Sequence, residues 1–144
     1  MKHIPSIVSV MTPFPYSIDI DDTLDRAVEM MQSHHIRHLP VSETGQLVGV
    51  ISDRDITVVT EPSRGYRSAD NLKVRQVCIL HGYAVEVSEP LDNVLLHMAQ
   101  QHIGSALVTK RGKLVGIFTV TDACRCFGEY LRTQFPTGDG NEAA

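Results

Sequence analysis

The chain has 144 residues, of which 42% are hydrophobic and 21% are charged, and its formal net charge at pH 7 is −4. This length suits one compact domain or two small ones packed together, and the composition is ordinary for a globular protein with an apolar core. A net negative charge argues against a nucleic-acid-binding surface, which normally carries a basic patch. No apolar run approaches the ~20 residues that span a bilayer, and residues 1–5 lack a signal-peptide core, so the sequence points to the cytoplasm and away from a membrane.

The first half of the chain predicts alternating strands and helices. Residues 1–10 form a lead-in, and the two prolines within residues 11–15 favour an extended or turn segment because proline disfavours helix. Residues 17–20 alternate between polar and apolar side chains, as a short half-buried strand does. From Leu24 onward, apolar side chains recur at positions i, i+3, i+4 and i+7, which predicts a helix with one buried face.

A hairpin and a second helix complete this first unit. Leu39–Val41 and Leu47–Ile51 are apolar runs typical of strands, and Gly45 between them suits the positive φ that a tight turn requires. Ser52 and Asp55 follow with Ser-x-x-Asp spacing. This spacing favours a helix start, because the serine oxygen can accept a backbone N–H and the carboxylate suits the positive first turn. The unit therefore reads β-α-β-β-α.

The second half of the chain repeats the first at an offset of 67 residues. Ser52 and Asp55 correspond to Thr119 and Asp122, and two strand-to-helix corners at one fixed offset indicate a duplicated unit. Residues 57–73 are polar and loop-forming, so we interpret them as a helix end followed by a linker. The repeat predicts the following division of the chain: unit 1 at residues 1–66, unit 2 at residues 67–133 and a disordered tail at residues 134–144.

We expect an α+β fold in which the two β-α-β-β-α units pack against each other about a pseudo-two-fold axis. Each unit is small and has one apolar face, so packing the units together would bury surface that neither could bury alone. Met30, Met31 and Met98 are most simply core residues of the predicted helices.

The ordered motifs of both halves resemble a known family. Residues 10–13, 36–41, 45–55 and 112–122 together resemble a tandem pair of CBS domains (named after cystathionine β-synthase), the arrangement called a Bateman module. The resemblance covers roughly residues 4–132, with no attached catalytic, channel or transporter domain, so the chain looks like a free-standing module. It implies binding of an adenosine-type ligand in clefts between the paired units.

The resemblance also implies a role for each corner residue. In the family the Ser or Thr contacts phosphate and the Asp holds the ribose hydroxyls, which assigns these roles to Ser52 with Asp55 and to Thr119 with Asp122. The chemistry agrees, because a helix N-terminus is an anion site and an ionised carboxylate accepts hydrogen bonds from a diol. The alternative is that each pair only caps a helix, a role that contributes ~1 kcal/mol to stability.

An adenine ring would need an apolar slot beside these corners. Tyr16 and Tyr83 occupy equivalent positions and could either stack on a base or pack between strands and helix. The remaining candidates lie before the first strand of each unit and just before each hairpin: Thr12, Pro13, Ile36, Ile79 and Ile103.

The two units differ in charge near the corners. Arg37, His38 and Arg54 of the first unit are replaced by Gly104, Ser105 and Thr121 in the second, and Thr121 is also a candidate for ligand contact. Arg37 and Arg54 are either phosphate ligands or solvated surface residues. We therefore hypothesise that the Ser52/Asp55 cleft binds a phosphorylated ligand more tightly than the Thr119/Asp122 cleft, although residues of one unit can reach the cleft of the other.

The function that the resemblance implies is regulatory rather than catalytic, with no nucleophile–base pair and no required cofactor. Occupancy by an adenine nucleotide would be relayed to a regulated protein, and family members commonly form homodimers. The ligand is left open among AMP, ADP, ATP, NAD, S-adenosylmethionine and a cyclic dinucleotide. Two other classes also remain open: a structural homodimerisation module with degenerate clefts, and a thiol- or metal-responsive switch that uses Cys78, Cys124 and Cys126. The spacing of His and Cys residues predicts no metal site.

Overall fold

The computed structural model describes residues 3–61 and 72–136, so residues 62–71 of the predicted linker and 137–144 of the predicted tail lie outside the described residues. The first half contains the following elements: α1 (Ile7–Val10), β1 (Thr12–Pro13), β2 (Ile18–Asp19), α2 (Leu24–His34), β3 (His38–Glu43), β4 (Gln46–Ser52) and α3 (Asp53–Thr60). The second half contains a 3-10 helix (Val74–Gln76), β5 (Ile79–Leu80), β6 (Ala84–Glu86), α4 (Leu91–Gln101), β7 (Ser105–Lys110), β8 (Lys113–Thr119) and α5 (Val120–Gln134).

The duplication is confirmed element by element. Helices α2 and α4 begin and end at equivalent residues, and so do the hairpin strands β3 with β7 and β4 with β8, all at the offset of 67 residues. Both hairpin turns place a glycine at positive φ, +79° at Gly45 and +78° at Gly112. The predicted α+β fold of two β-α-β-β-α units is therefore present.

Two four-stranded sheets organise these elements, and each sheet includes a strand from the other half of the chain. One sheet has the order β2-β3-β4-β5 and the other the order β1-β8-β7-β6. Strand β1 pairs antiparallel with β8, and β5 pairs antiparallel with β4. Residues 7–13 and 74–80 form the lead-ins of the two halves, and each lead-in thus completes the sheet of the other half. The sequence division at residue 66 does not express this exchange.

A glycine lies under each crossing lead-in. A Cβ at Gly49 would collide with the carbonyl oxygen of Ile79, and a Cβ at Gly116 would collide with the sulfur of Met11. Glycine is used where another segment of chain approaches the backbone closely. The glycine in each Leu-Val-Gly motif is therefore explained by the crossing strand.

Each sheet covers its own hydrophobic core, and both cores recruit a residue from the opposite lead-in. Val74 lies in the core built around Leu24, and Ile7 lies in the core built around Phe118. Both residues are 0% exposed. The predicted core positions Met31 and Met98 are buried, and Met30 packs against the first core.

Among the described residues, no helix combines the length and the apolar character that crossing a bilayer requires.

Candidate ligand-binding site

The first corner lies where β4 passes into α3. The Oγ of Ser52 accepts the backbone N–H of Asp55 at 3.1 Å, and Oδ2 of Asp55 accepts the backbone N–H of Ser52 at 2.9 Å. This reciprocal pair is a capping box, which satisfies two N–H groups that a helix start leaves without partners. The predicted helix start at Ser52 is confirmed.

Two polar groups of this corner have no partner in the described part of the chain. Within residues 3–61 and 72–136, no other hydrogen bond reaches the Asp55 carboxylate, and the hydroxyl proton of Ser52 has no acceptor. Both side chains are partly exposed. The corner therefore offers one carboxylate oxygen and one hydroxyl donor at the positive end of a helix, which can accept and donate hydrogen bonds to a small polar ligand.

The second corner has the same capping box, but further protein groups donate hydrogen bonds to its carboxylate. The backbone N–H of Thr119 donates to Oδ2 of Asp122 at 2.9 Å, and the Oγ1 of Thr119 accepts the Asp122 N–H at 3.3 Å while lying 3.2 Å from Oδ2. Oδ1 receives the Arg125 Nη2 at 2.7 Å. The Thr12 hydroxyl lies 3.2 Å from Oδ1 and 3.3 Å from Oδ2. Asp122 is only 2% exposed, so protein donors enclose its carboxylate.

The difference between the corners follows partly from Arg125, whose equivalent in the first unit is Val58, and partly from the exchanged lead-ins. Strand β1 carries Thr12 to β8, and therefore to Asp122, rather than to the corner of its own half. At the first corner the equivalent of Thr12 is Ile79 on β5, which is 53% exposed and has no hydroxyl. Asp55 consequently lacks the hydrogen bond that Asp122 receives from the lead-in.

Removing the Thr12 hydroxyl should destabilise the fold without touching the first corner. We expect Thr12→Val to lower the free energy of unfolding by about 1–2 kcal/mol, because a buried carboxylate loses a donor. Thr12→Ser, which keeps the hydroxyl, is the control and should stay within about 0.5 kcal/mol of the wild type. Urea unfolding followed by circular dichroism measures both, and equal losses in the two variants would contradict the role of the hydroxyl.

His38 connects the first corner to the second half of the chain. It pairs with Ser52 across the β3–β4 ladder, and its Nε2 lies 3.0 Å from the position that a Cβ on Gly104 would occupy. Burial lowers the pKa of His38; Asp53 and Asp55 partly oppose this shift, and Arg37 adds to it. The imidazole thus lies within electrostatic reach of both acids of the first turn.

Acidification should reveal this lowered pKa. Because the unfolded chain protonates His38 more readily than the folded protein does, the stability contributed by neutral His38 is complete above the ordinary histidine pKa and is lost as the pH falls through the folded-state pKa. We expect the wild type to lose more stability than His38→Gln between about pH 7.5 and about pH 5.5. Urea titrations at both pH values measure this difference, and parallel losses would contradict it.

The other predicted contact residues lie around these corners. Arg37, Arg54 and Thr121 are exposed, and none of the ion pairs in the described part of the chain involves either arginine. Pro13 lies on β1 beside Thr12, and Ile103 packs against the second core. Their contacts with a ligand stay predictions.

Both predicted tyrosines stack on histidines of neighbouring helices. The ring of Tyr16 lies 3.6 Å from that of His34 with an interplanar angle of 10°, and the ring of Tyr83 lies 4.1 Å from that of His97 with an angle of 25°. One face of each ring is therefore occupied by the protein. Of the two readings open from the sequence, this arrangement favours packing against the helix.

Two cavities accompany these elements, and neither is lined by Ser52, Asp55, Thr119 or Asp122. One, of about 290 Å³, lies between α2 and α3 and includes the predicted residue Ile36 together with Asp53. The other, of about 440 Å³, lies between the two hairpin turns. The corners are accordingly not part of these two cavities.

Cys78 lies apart in sequence from Cys124 and Cys126, which are two residues apart on α5. Burial raises the pKa of the Cys78 thiol, which disfavours the reactive thiolate. Cys124 is exposed and Cys126 is half-buried on α5. Across residues 3–61 and 72–136 no group of three or more His, Cys, Asp or Glu side chains is arranged to hold a metal ion.

Sequence reasoning missed Arg125 as the partner of Asp122. An Asp and an Arg three residues apart on a helix are neighbours on its surface, so the spacing carried the signal. The contact between His38 and Gly104 had no such signal, because it depends on how the two units pack.

Comparison with known proteins agrees with this architecture. A CBS domain protein of Dictyostelium discoideum is 26% identical over 125 residues, covering 81% of this chain and 86% of its own. The structure of AcuB from Vibrio cholerae has a TM-score of 0.78 at 25% identity, covering 95% of this chain and 100% of its own. The CBS domain pair of protein MJ0100, solved in complex with 5-methylthioadenosine and S-adenosyl-L-methionine, has a TM-score of 0.77 at 25% identity, covering 89% and 99%.

The family profile for the CBS domain matches the chain twice, at residues 7–59 and 74–129. These two matches coincide with the two halves of the duplication and leave the region around residues 60–73 between them. The chain therefore belongs to the CBS domain family, as a tandem pair of CBS domains.

Proposed function

We propose that this CBS pair is a cytoplasmic regulatory module that binds an adenosine-type ligand at the Ser52/Asp55 corner and relays its occupancy to a partner protein. The observation that carries the proposal is the difference between two equivalent acids. Asp55 keeps an oxygen that no described protein group uses, whereas Asp122 is enclosed by Thr12, Thr119 and Arg125. A ligand at Asp122 would have to displace these donors.

The groups at the first corner suit a ribose phosphate. An ionised carboxylate only accepts hydrogen bonds, and a ribose offers two adjacent hydroxyl donors. The hydroxyl of Ser52 and the start of α3 suit a phosphate, and Arg37 and Arg54 are exposed cations nearby in sequence with no ion pair among the described residues. The complex of the MJ0100 pair with two adenosine derivatives supports the adenosine part of such a ligand, because both derivatives carry the ribose but neither carries a phosphate.

The relay would work by preferential binding to one arrangement of the two units. A ligand shifts a conformational equilibrium only as far as its affinities for the two states differ. His38 of the first half lies against Gly104 of the second beside this corner, so a ligand there would meet both halves. Occupancy at Asp55 could therefore change how the halves pack.

A homodimer is part of the proposal. Helix α5 has exposed apolar side chains at Phe127, Tyr130 and Leu131, with 61%, 54% and 39% of their surface accessible. Clusters of exposed apolar residues mark protein interaction surfaces. Sedimentation equilibrium of the full chain tests this, with a dimer as the expected species and a monomer at all concentrations as the contradicting one.

Calorimetric titration with AMP, ADP, ATP, NAD, S-adenosylmethionine and a cyclic dinucleotide tests the function. We expect saturable binding of at least one ligand with a stoichiometry of one per chain. At 100 times its dissociation constant that ligand should raise the free energy of unfolding by about 2.7 kcal/mol. If no ligand binds and none shifts thermal unfolding, the chain is a structural module with degenerate clefts.

A further inference from the structure

A cavity of about 440 Å³ opens between the two hairpin turns, away from the corners described above. Equivalent residues of both units line it, 45–47 from one hairpin and 112–114 from the other. Strand β4 runs from this cavity to Ser52 over seven residues, which places the two about 20 Å apart at ~3.3 Å per residue. None of the side chains predicted to bind a nucleotide lines this cavity.

The second unit contributes one cation, Lys113, to the lining of the cavity, and two more cations lie beside it on the same hairpin. Lys110, Arg111 and Lys113 surround the turn of the β7–β8 hairpin, all three are exposed, and none takes part in an ion pair within residues 3–61 and 72–136. The equivalent turn of the first unit reads Glu43-Thr44-Gly45-Gln46, so this charge belongs to the second hairpin only.

The nearby carboxylates are already engaged. Oε2 of Glu43 accepts the Arg75 Nη2. Glu86 accepts the backbone N–H groups of Arg111 at 3.1 Å and Gly112 at 3.2 Å. Arg75 also pairs with Asp21, so Glu43, Asp21 and Arg75 together carry a net charge of −1. Against these groups and Glu86, the three cations of the hairpin leave a small surplus of positive charge beside the cavity.

The other walls supply neutral donors and apolar surface. Ser17 and Ser42 contribute hydroxyls, and Gln46 contributes an amide. Leu47 and Leu114 contribute apolar side chains from the two units. A volume of 440 Å³ falls within the ordinary range for small-molecule sites, which combine apolar walls with a few polar groups that fix orientation.

We propose that this cavity is a second binding site, for a small organic anion whose phosphate or carboxylate group pairs with Lys113 and whose body lies between Leu47 and Leu114. The hydroxyls of Ser17 and Ser42 donate to the same anionic group. Because both units form the walls, a bound anion would bridge the two hairpins. The site is independent of the nucleotide corner, and each can exist without the other.

Heteronuclear NMR titrations of the full chain with ribose 5-phosphate and with citrate test the site and distinguish phosphate from carboxylate ligands. We expect saturable amide shifts centred on Gly45, Gln46, Gly112 and Lys113 with at least one probe. Lys113→Ala should raise the dissociation constant at least tenfold, as the loss of a charge-assisted hydrogen bond predicts. Lys110→Ala removes the same charge from the same hairpin but not from the lining, and should change the dissociation constant less than about threefold.

Equal losses of affinity in Lys113→Ala and Lys110→Ala would overturn the proposal. They would mean that only the overall electrostatic field of the hairpin attracts the anion. The absence of saturable shifts with both probes, or shifts confined to Ser52–Asp55, would also overturn it. Binding of a nucleotide at Asp55 is measured separately by calorimetry on Lys113→Ala, so failure of this site leaves the proposed function intact, and failure of the proposed function leaves this site intact.

Discussion

Replacing Asp55 with asparagine should weaken binding of the adenosine-type ligand by at least about tenfold, and by up to about a hundredfold. Asparagine keeps the size of the side chain but loses its charge, and one of its two acceptor atoms becomes a donor that faces the ribose hydroxyls. Hydrogen bonds to a charged group are worth about 1.5–3 kcal/mol, which corresponds to this range of affinity. Calorimetry with the tightest ligand of the panel measures the change.

Two matched variants separate this effect from simpler causes. Asp53→Asn removes a neighbouring charge from the same first turn and should change the affinity by less than about threefold, since Asp53 lies outside the capping box. Asp122→Asn should leave the affinity within the same limit because that carboxylate is enclosed. If Asp122→Asn weakens binding more than Asp55→Asn does, the ligand occupies the second corner and the proposed site is wrong.

Gly49→Ala should destabilise the protein by about 3 kcal/mol, whereas the equivalent Gly116→Ala should cost less than about 1 kcal/mol. A Cβ at Gly49 meets backbone, the carbonyl of Ile79 on the crossing strand β5. A Cβ at Gly116 meets the side chain of Met11, which is flexible and can move aside. Equivalent positions of the repeat therefore tolerate the same methyl group unequally.

Urea unfolding of both variants measures this difference, and Gly128→Ala serves as the control, because a Cβ there meets nothing within 4 Å. Gly128→Ala should be neutral or stabilising, since alanine favours the helix α5 in which it lies. Equal destabilisation by Gly49→Ala and Gly116→Ala would mean that β5 shifts as easily as the methionine does, and would contradict the tight crossing at Gly49.

Local features were predictable because the chemistry that causes them is local. The offset of 67 residues identified the duplication, the Ser-x-x-Asp spacing predicted the helix start at Ser52, and the glycine at position 45 predicted the turn. Each depends on residues within one strand or one helical turn, where propensity and capping act directly. The repeat also predicted the fold of two β-α-β-β-α units, and the resemblance to the CBS family added the expected class of ligand.

The exchange of lead-in strands was not predictable from these signals. A two-residue strand such as Thr12–Pro13 carries too short an alternation to say which sheet it joins, and its hydrogen bonds to β8 span more than 100 residues of sequence. The enclosure of Asp122 by Thr12 depends on that pairing. The contribution of Thr12 to the inequality of the two corners therefore appears only in three dimensions, whereas the contribution of Arg125, whose equivalent in the first unit is Val58, was readable from the sequence.

The crossed lead-ins also determine what a cut between the two halves of the chain would produce. A cut in the region of residues 62–71 would leave an N-terminal fragment whose sheet ends at β4 and whose core lacks Val74, and a C-terminal fragment that lacks both β1 and Ile7. Each fragment would hold the missing piece of the other. The two halves are thus complementary parts of one cooperative folding unit, and neither half contains a complete sheet and core of its own.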